Sequence, residues 1–156
     1  QVAVDQTSSQ RRRFTLASLV SEIVVTLNPS IRKSNCNVVV SVHDALELDS
    51  YPGPLGQVLT NLINNAIKYN KPNGFIHFRS FSTEHGYEIE ISDSGRGIAS
   101  SELGSIFERF KRFKKIDNES YGLGLPIVKT IGHFHGIGID VKSVLGEGTR
   151  FTLLFP

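Results

Sequence analysis

The sequence has no tryptophan, no methionine and a single cysteine, Cys36. One cysteine excludes an internal disulfide and is compatible with a reducing compartment. No apolar run is long enough to cross a membrane, and a net charge of +2 over 156 residues does not predict nucleic-acid binding. Neither an initiator methionine nor a signal-peptide pattern is present, so we expect a piece of a longer protein.

The length suits one domain with a sizeable core of its own. The first ten residues, QVAVDQTSSQ, are polar and show no hydrophobic period, which is typical of a frayed chain end. We therefore interpret residues 1–13 as the end of a linker from a preceding domain and residues 14–156 as the folded domain.

Hydrophobic periodicity predicts three main helices, a short fourth helix and five strands. The helices are predicted from Leu16 to about residue 27, from 55 to 67, around 101–110 and over 124–134. The strands are predicted over 37–42, 74–81 and 87–93 and as a hairpin over 138–155. Strands adjacent in sequence pair antiparallel, so we expect a two-layer α/β sandwich whose mixed, mostly antiparallel sheet carries the three main helices on one face.

The second helix contains the segment NLINNAIKYN, residues 61–70. At about 100° per residue, Gln57, Asn61, Asn65 and Lys68 lie on one side, opposite the apolar stripe, and need not be buried. A solvated outer face is the ordinary interpretation of such a row. However, asparagine is a poor choice for a helix face whose only role is to be exposed to solvent. An Asn–Lys row also offers an oxygen ligand for a hard cation and a positive charge for phosphate.

Three glycine-containing segments each permit two interpretations. DSGRG, residues 93–97, follows a strand, YGLGL, residues 121–125, lies at the start of a helix, and GEGTRF, residues 146–151, lies in the last hairpin. Each is compatible with an ordinary turn. Alternatively, the first lets backbone approach a planar ligand beside a carboxylate, and the second leaves N–H groups free for phosphate at a helix N-terminus.

The order and spacing of these segments are far more specific than any one of them. The sequence resembles the catalytic ATP-binding domain of sensor histidine kinases, which has the Bergerat fold and belongs with gyrase-type topoisomerases, ninety-kilodalton heat-shock chaperones and mismatch-repair ATPases. QVLTNLINNAIKY and SDSGRGI match the family's N and G1 boxes, IFERF its F box and GLGLPIVK most of its G2 box. The resemblance covers residues 14–156.

The resemblance implies a set of ATP-binding residues spread over all four boxes and the last hairpin. They are Asn61, Asn65, Lys68, Tyr69, Asp93, Gly95, Gly97, Ile98, Phe110, Arg112, Gly122, Leu123, Gly124, Leu125 and Thr149. Of these, Asn61, Lys68 and Arg112 are implied to be catalytic, and Asn65 to hold Mg²⁺ through its side-chain oxygen.

At the adenine end, the resemblance places Tyr69 against the ring and makes Asp93 the acceptor of the adenine amino group, supported by Thr149. At the phosphate end, Phe107 and Phe110 anchor a mobile lid, and Arg112 reaches the terminal phosphates. Gly122 and Gly124 supply the lid's hinge and phosphate amides. Five of the seven residues from Arg109 to Lys115 are basic, and Lys114 and Lys115 are expected to be solvated. Ser120 stands where the family's G2 box usually opens with a further glycine.

One position distinguishes the kinases of this group from its hydrolases. The hydrolases place a glutamate four residues before the metal-binding asparagine, and here that position is Asn61. The resemblance therefore implies transfer of the ATP γ-phosphate to a histidine of a separate dimerisation domain, because no acceptor histidine is evident in this chain. The implied partners are ATP or ADP, that domain and a downstream response regulator. We expect a cytoplasmic location, no nucleic acid and no direct membrane contact.

Two alternatives remain open. A serine kinase of the anti-sigma-factor kind shares this fold, and it would be favoured if the preceding region lacked a helical dimerisation hairpin. A nucleotide-gated interaction module without transfer activity would be favoured if ATP bound but a supplied acceptor domain was never labelled.

Overall fold

The structure, a computed structural model, describes residues 10–84, 86–106 and 119–155. The strands in these ranges are β1 (Arg12–Thr15), β2 (Asn37–Ser41), β3 (Glu47–Ser50), β4 (Phe75–Thr83), β5 (Gly86–Asp93), β6 (Gly138–Val144) and β7 (Gly148–Phe155). The helices are α1 (Leu16–Ser34), α2 (Pro52–Lys68), α3 (Ser100–Leu103) and α4 (Glu119–His135).

The two long helices near the N-terminus have well-defined ends. Thr15 caps α1, because its hydroxyl accepts a hydrogen bond from the Ser18 N–H at 3.2 Å. The helix stops at Asn35, whose φ of 57° is left-handed. Helix α2 begins at Pro52, where a missing N–H is harmless. The structure thus confirms both predicted helices, although α1 runs to Ser34 rather than to about residue 27.

Five strands form one sheet in the order β2-β4-β5-β7-β6. Only β2 and β4 pair in parallel, and the remaining pairs are antiparallel. One face of the sheet packs against the helices, and the core joins α2 to the strands through fully buried side chains. These include Leu55, Leu59, Leu62, Ile63, Ile76, Phe78, Ile89, Ile91 and Leu153. The predicted α/β sandwich is confirmed.

Two short strands were not predicted from the sequence. Strands β1 and β3 form a separate antiparallel ribbon. Ion pairs join Arg11, which directly precedes β1, to Asp49 at 3.1 Å and Arg13 to Glu47 at 3.3 Å. Residues 12 and 13, which the sequence assigns to the linker, therefore form the first half of β1.

Helix boundaries also differ from the predictions in the second half of the chain. The short helix predicted around 101–110 is α3, which ends at Leu103, and residues 107–118 lie outside the described part of the chain. Helix α4 starts at Glu119 rather than 124. No helix within the described ranges has both the length and the apolar character needed to cross a bilayer.

Candidate nucleotide-binding site

The polar row of α2 is only partly exposed. The Gln57 Nε2 donates a hydrogen bond to the Asn61 Oδ1 at 3.0 Å, which fixes the orientation of the Asn61 amide. Lys68 is exposed, whereas Asn65 is buried, with 4% of its surface accessible. The expectation that this row need not be buried is therefore wrong for Asn65, because α2 packs against both α1 and α4.

Asn65 fits a magnesium ligand. Its Nδ2 has no hydrogen-bond partner among the described residues, and leaving a buried polar atom unpaired costs about 1–3 kcal/mol. Rotating the amide by 180° puts the oxygen there instead, which is the ligand type Mg²⁺ prefers. The described residues contain no group of three or more His, Cys, Asp or Glu side chains that could hold a metal ion.

Asp93 ends β5 and lies opposite Thr149 of β7. Its Oδ1 accepts a hydrogen bond from the Gly95 N–H at 2.8 Å. Burial raises the pKa of Asp93 to about 6, and hydrogen bonds from the backbone N–H groups of Gly95 and Thr149 oppose this rise. The carboxylate is thus charged at neutral pH, and it is suited to accept hydrogen bonds from a ligand.

The pKa of Asp93 gives a direct prediction. In the ligand-free protein, the Asp93 carboxyl should titrate with a midpoint near 6. ADP should lower that midpoint, because a donor from the base favours the ionised form. The measurement is the pH dependence of the ¹³C-carboxyl chemical shift of Asp93. A midpoint near the ordinary aspartate value of about 4 would contradict the prediction.

The glycines after Asp93 allow close approach of protein backbone. A Cβ at Gly95 would lie 2.5 Å from the Tyr69 carbonyl oxygen, and one at Gly97, whose φ is +73°, would lie 2.2 Å from the Val144 carbonyl oxygen. The Arg96 N–H donates to the Tyr69 carbonyl at 3.2 Å, and the Arg96 carbonyl accepts from Gly146 at 2.6 Å. The loop is therefore fastened between the end of α2 and the β6–β7 turn.

Gly97→Ala should lower the free energy of unfolding by at least about 2 kcal/mol, because it adds left-handed strain to a backbone clash. Gly104→Ala is the matched control, since nothing lies within 4 Å of its added Cβ. That variant should change stability by less than about 0.5 kcal/mol. Urea unfolding of both variants makes the comparison, and equal stabilities would show that the loop is not held as described.

The side chain of Arg96 stacks on the Tyr69 ring, and this contact was not predicted from the sequence. The guanidinium carbon of Arg96 lies 4.3 Å from the centre of the Tyr69 ring, and the Lys68 Nζ lies 5.8 Å from it. Such cation–π contacts stabilise a ring's position. Arg96 lies between two glycines, a pattern that is typical of an ordinary turn, so the sequence did not indicate this contact.

Ser143 of β6 is the second site residue missed from the sequence. Its hydroxyl oxygen lies 2.9 Å from the Thr149 Oγ1 and accepts a hydrogen bond from the Ile98 N–H at 2.7 Å. It thus links the loop after Asp93 to the strand that carries Thr149. The segment VKSV shows only the alternation of a strand, which does not indicate a polar network.

The structure places Tyr69, at the end of α2, beside Gly95 and Arg96 of the loop after β5, and Asp93 opposite Thr149 of β7. Asn61, Asn65 and Lys68 lie on α2, and Gly97 lies in the loop after β5. Ile98 and Leu125 are buried in the core, with 6% and 0% of their surfaces exposed.

The predicted lid residues are not all described. Phe107, Phe110 and Arg112 lie outside the described residues. Gly122, Leu123 and Gly124 fall within α4, and the side chain of Leu123 lies outside the described part of the structure. Because a helix has free N–H groups only in its first turn, an α4 that starts at Glu119 leaves Gly124 past them. The prediction that this helix starts at residue 124 is wrong.

Several known proteins are similar to this chain in sequence. Residues 51–156 match the family described as histidine kinase-, DNA gyrase B- and HSP90-like ATPases. The circadian input-output histidine kinase CikA of Synechococcus elongatus is 28% identical over 162 residues, which cover 100% of this chain and 22% of that protein. The sensor protein SrrB of Staphylococcus aureus is 42% identical over 105 residues, which cover 65% of this chain and 18% of that protein. The chain therefore spans less than a quarter of each relative.

Solved structures agree with the fold. The catalytic domain of the histidine kinase ThkA superposes with a TM-score of 0.80 at 27% identity, covering 92% of this chain and 94% of that domain. ThkA in complex with the response regulator TrrA gives a TM-score of 0.74 at 25% identity, covering 92% of this chain and 40% of that one. The chain belongs to the histidine kinase-, DNA gyrase B- and HSP90-like ATPase family, and within it is a catalytic ATP-binding domain of the sensor histidine kinase type.

Proposed function

We propose that this domain transfers the γ-phosphate of Mg-ATP to a histidine on a separate dimerisation domain of its parent protein. The observation that carries the proposal is the amide at position 61, in the place where the family's hydrolases have a glutamate. The Asn61 Oδ1 accepts a hydrogen bond from Gln57 at 3.0 Å, and an amide cannot take a proton from water near neutral pH.

The rest of α2 offers no substitute base. Residues 52–68 contain neither Asp nor Glu. Asp93 lies at the end of β5, where its oxygen is already hydrogen-bonded to Gly95. Water at the γ-phosphate would therefore lack a base on α2, so ATP would persist until a stronger nucleophile arrives. An imidazole nitrogen is such a nucleophile, because it attacks through a lone pair that is already available.

The adenine end of the site would bind the base through Tyr69 and Asp93. Tyr69 supplies a ring held by the Arg96 cation at 4.3 Å, against which the base would lie. Asp93 would accept the adenine amino group, with Thr149 beside it. Together these residues would place the triphosphate along the polar row of α2.

The phosphate end would provide charge and orientation. Lys68 would face phosphate oxygens, Arg112 would approach the terminal phosphates from the lid, and Gly122 would approach them from the first turn of α4. Asn65 would hold Mg²⁺, which when bound neutralises charge on the β- and γ-phosphates. Phosphoryl transfer needs chiefly this positioning and charge neutralisation from the protein.

In the transfer, the imidazole nitrogen forms a bond to the γ-phosphorus as the bond from that phosphorus to the β-γ bridging oxygen breaks. ADP leaves, and the proton on the other ring nitrogen passes to a base of the acceptor domain. Two histidines of this chain have hydrogen bonds within the fold: His77 hydrogen-bonds to Ser41 at 2.9 Å, and His43 accepts from the Ala45 N–H at 3.1 Å. The acceptor histidine would come from the separate dimerisation domain.

A response regulator would then receive the phosphoryl group. ThkA, which is 25% identical to this chain, has been solved together with its response regulator. We extend that partnership to the parent of this domain, and we place the domain in the cytoplasm, where such regulators act.

The test uses this chain as donor and its full parent protein carrying Asp93→Asn as acceptor, with γ-labelled ATP. We expect label on the parent that is stable in alkali and labile in acid, as phosphohistidine is. The same parent without its acceptor histidine is the control and should stay unlabelled. Acid-stable label would indicate a serine kinase. Nucleotide binding without any label would indicate an interaction module, and release of inorganic phosphate alone would indicate a hydrolase.

A further inference from the structure

Ser143 lies at the centre of a hydrogen-bond network beside the adenine end of the proposed site. Its Oγ accepts from the Ile98 N–H at 2.7 Å and donates to the Gly148 carbonyl at 2.9 Å. It also lies 2.9 Å from the Thr149 Oγ1, where either oxygen could be the donor. Thr149 is buried, with 6% of its surface exposed. The Ser143 hydroxyl therefore has three neighbours and one proton.

The proton count settles the direction of the Ser143–Thr149 hydrogen bond. A carbonyl oxygen can only accept, so the Ser143 proton goes to Gly148. A backbone N–H can only donate, so Ile98 occupies one lone pair of Ser143. The remaining contact is satisfied only if the Thr149 hydroxyl donates to Ser143. The Thr149 hydroxyl then has no proton left for a ligand, and its oxygen can only accept a hydrogen bond from one.

Asp93 presents the same polarity. Its ionised carboxylate can only accept, and it lies directly opposite Thr149 in the β5–β7 pair. A ligand atom that meets both residues must therefore donate. The same holds if one water lies between the ligand and these two residues, because a water that donates to both residues can only accept from the ligand.

We propose that Ser143 is a positioning residue for base specificity: it fixes the Thr149 hydroxyl as an acceptor, so that the site takes 6-amino purines and rejects 6-oxo purines. This inference rests on the proposed nucleotide site. Adenine carries a donor at position 6, whereas hypoxanthine and guanine carry an oxygen that would face two acceptors. An unpaired polar contact of this kind discriminates strongly between ligands.

Ser143→Ala tests the proposal through the affinities for ADP and inosine diphosphate, measured by calorimetry. Without Ser143, the Thr149 hydroxyl can turn and donate to a 6-oxo group. ADP should bind more weakly while inosine diphosphate does not, so that the preference for ADP falls about tenfold. Ser143→Thr keeps the hydroxyl and should retain the preference. An equal loss for both nucleotides, which leaves the preference unchanged, would overturn the proposal.

Ser92→Ala is the matched control. Ser92 lies between Ile91, which is buried, and Asp93 on the same strand, so its side chain points to the opposite face of the sheet. This variant should keep the wild-type preference for ADP. A drop as large as that of Ser143→Ala would mean that any loss of a serine in this sheet has the same effect, and it would overturn the proposal.

Thr149→Val is a second variant that tests the proposal, and it keeps a β-branched residue in the strand. It removes the acceptor itself, so it should lower the preference for ADP to a similar extent even if Ser143→Ala does not fold. Adding Ser143→Ala to Thr149→Val should not lower the preference further, because Ser143 acts through Thr149. An unchanged preference in Thr149→Val would overturn the proposal. Failure of the wild-type chain to bind ADP would instead contradict the nucleotide site itself.

Discussion

Asp93→Asn should weaken ADP binding at least about 100-fold. The variant replaces a charged acceptor by an amide whose NH₂ group can face the adenine amino group, donor against donor. The carboxylate is already oriented by the Gly95 N–H at 2.8 Å, so the change acts on a fixed group rather than on a mobile side chain. Calorimetric titration at pH 7.5 measures the effect.

The same variant should not be less stable than the wild type at that pH. Because burial raises the pKa of Asp93 to about 6 from 3.8, the folded protein holds this proton more tightly than the unfolded chain does. The stabilising contribution is fully present below pH 3.8 and is lost as the pH rises through 6. Above pH 6 the buried negative charge of Asp93 therefore opposes folding. In Asp93→Asn the removal of this charge offsets the loss of a carboxylate oxygen that accepts hydrogen bonds from backbone N–H groups.

Asp140→Asn is the control for Asp93→Asn, because Asp140 lies exposed on β6. It should bind ADP as the wild type does. If Asp93→Asn binds ADP with wild-type affinity while remaining folded, then Asp93 does not recognise the base. If it loses binding because it unfolds, the stability prediction is wrong instead.

Asn65→Ala should remove the magnesium dependence of nucleotide binding. In the wild type, Mg²⁺ should strengthen binding of a non-hydrolysable ATP analogue by about tenfold or more, whereas in Asn65→Ala the affinities with and without Mg²⁺ should coincide. The base contacts at Asp93 remain, so ADP should still bind without the metal. Calorimetric titrations with Mg²⁺ and with a chelator provide the comparison.

Asn64→Ala is the matched control on the same helix, because Asn64 is exposed where Asn65 is buried. It should retain the full magnesium effect. Loss of the Asn65 amide should also leave the fold intact, since its Nδ2 makes no hydrogen bond within the described residues. A magnesium effect that survives in Asn65→Ala would place the cation elsewhere.

Elements set by local patterns were predictable from the sequence. Helices α1 and α2 show apolar stripes along one side, and β5 alternates buried with less buried residues. The helical period and the strand period can each be recognised from the residues of that element alone. The ribbon of β1 and β3 was missed because each strand has four residues and its pairing joins segments more than thirty residues apart. Pairing over such distances leaves no local signal.

The candidate site shows the same division. The sequence indicated Asn65 and Asp93 through their motifs, but not that α2 would bury the first and that β7 would face the second. Arg96 and Ser143 were missed because their roles depend on contacts with Tyr69 and Thr149, which lie on other elements. Motif order predicted the function, and tertiary packing decided which neighbouring side chains support it.

The most direct measurement is a calorimetric titration of the wild-type chain with ADP and with a non-hydrolysable ATP analogue, each with and without Mg²⁺. If the surface formed by α2, the loop after β5 and the start of β7 is a nucleotide site, both ligands should bind, and Mg²⁺ should strengthen binding of the triphosphate analogue more than that of ADP. Absence of binding for both nucleotides under all conditions would contradict the assignment of this surface as an ATP site.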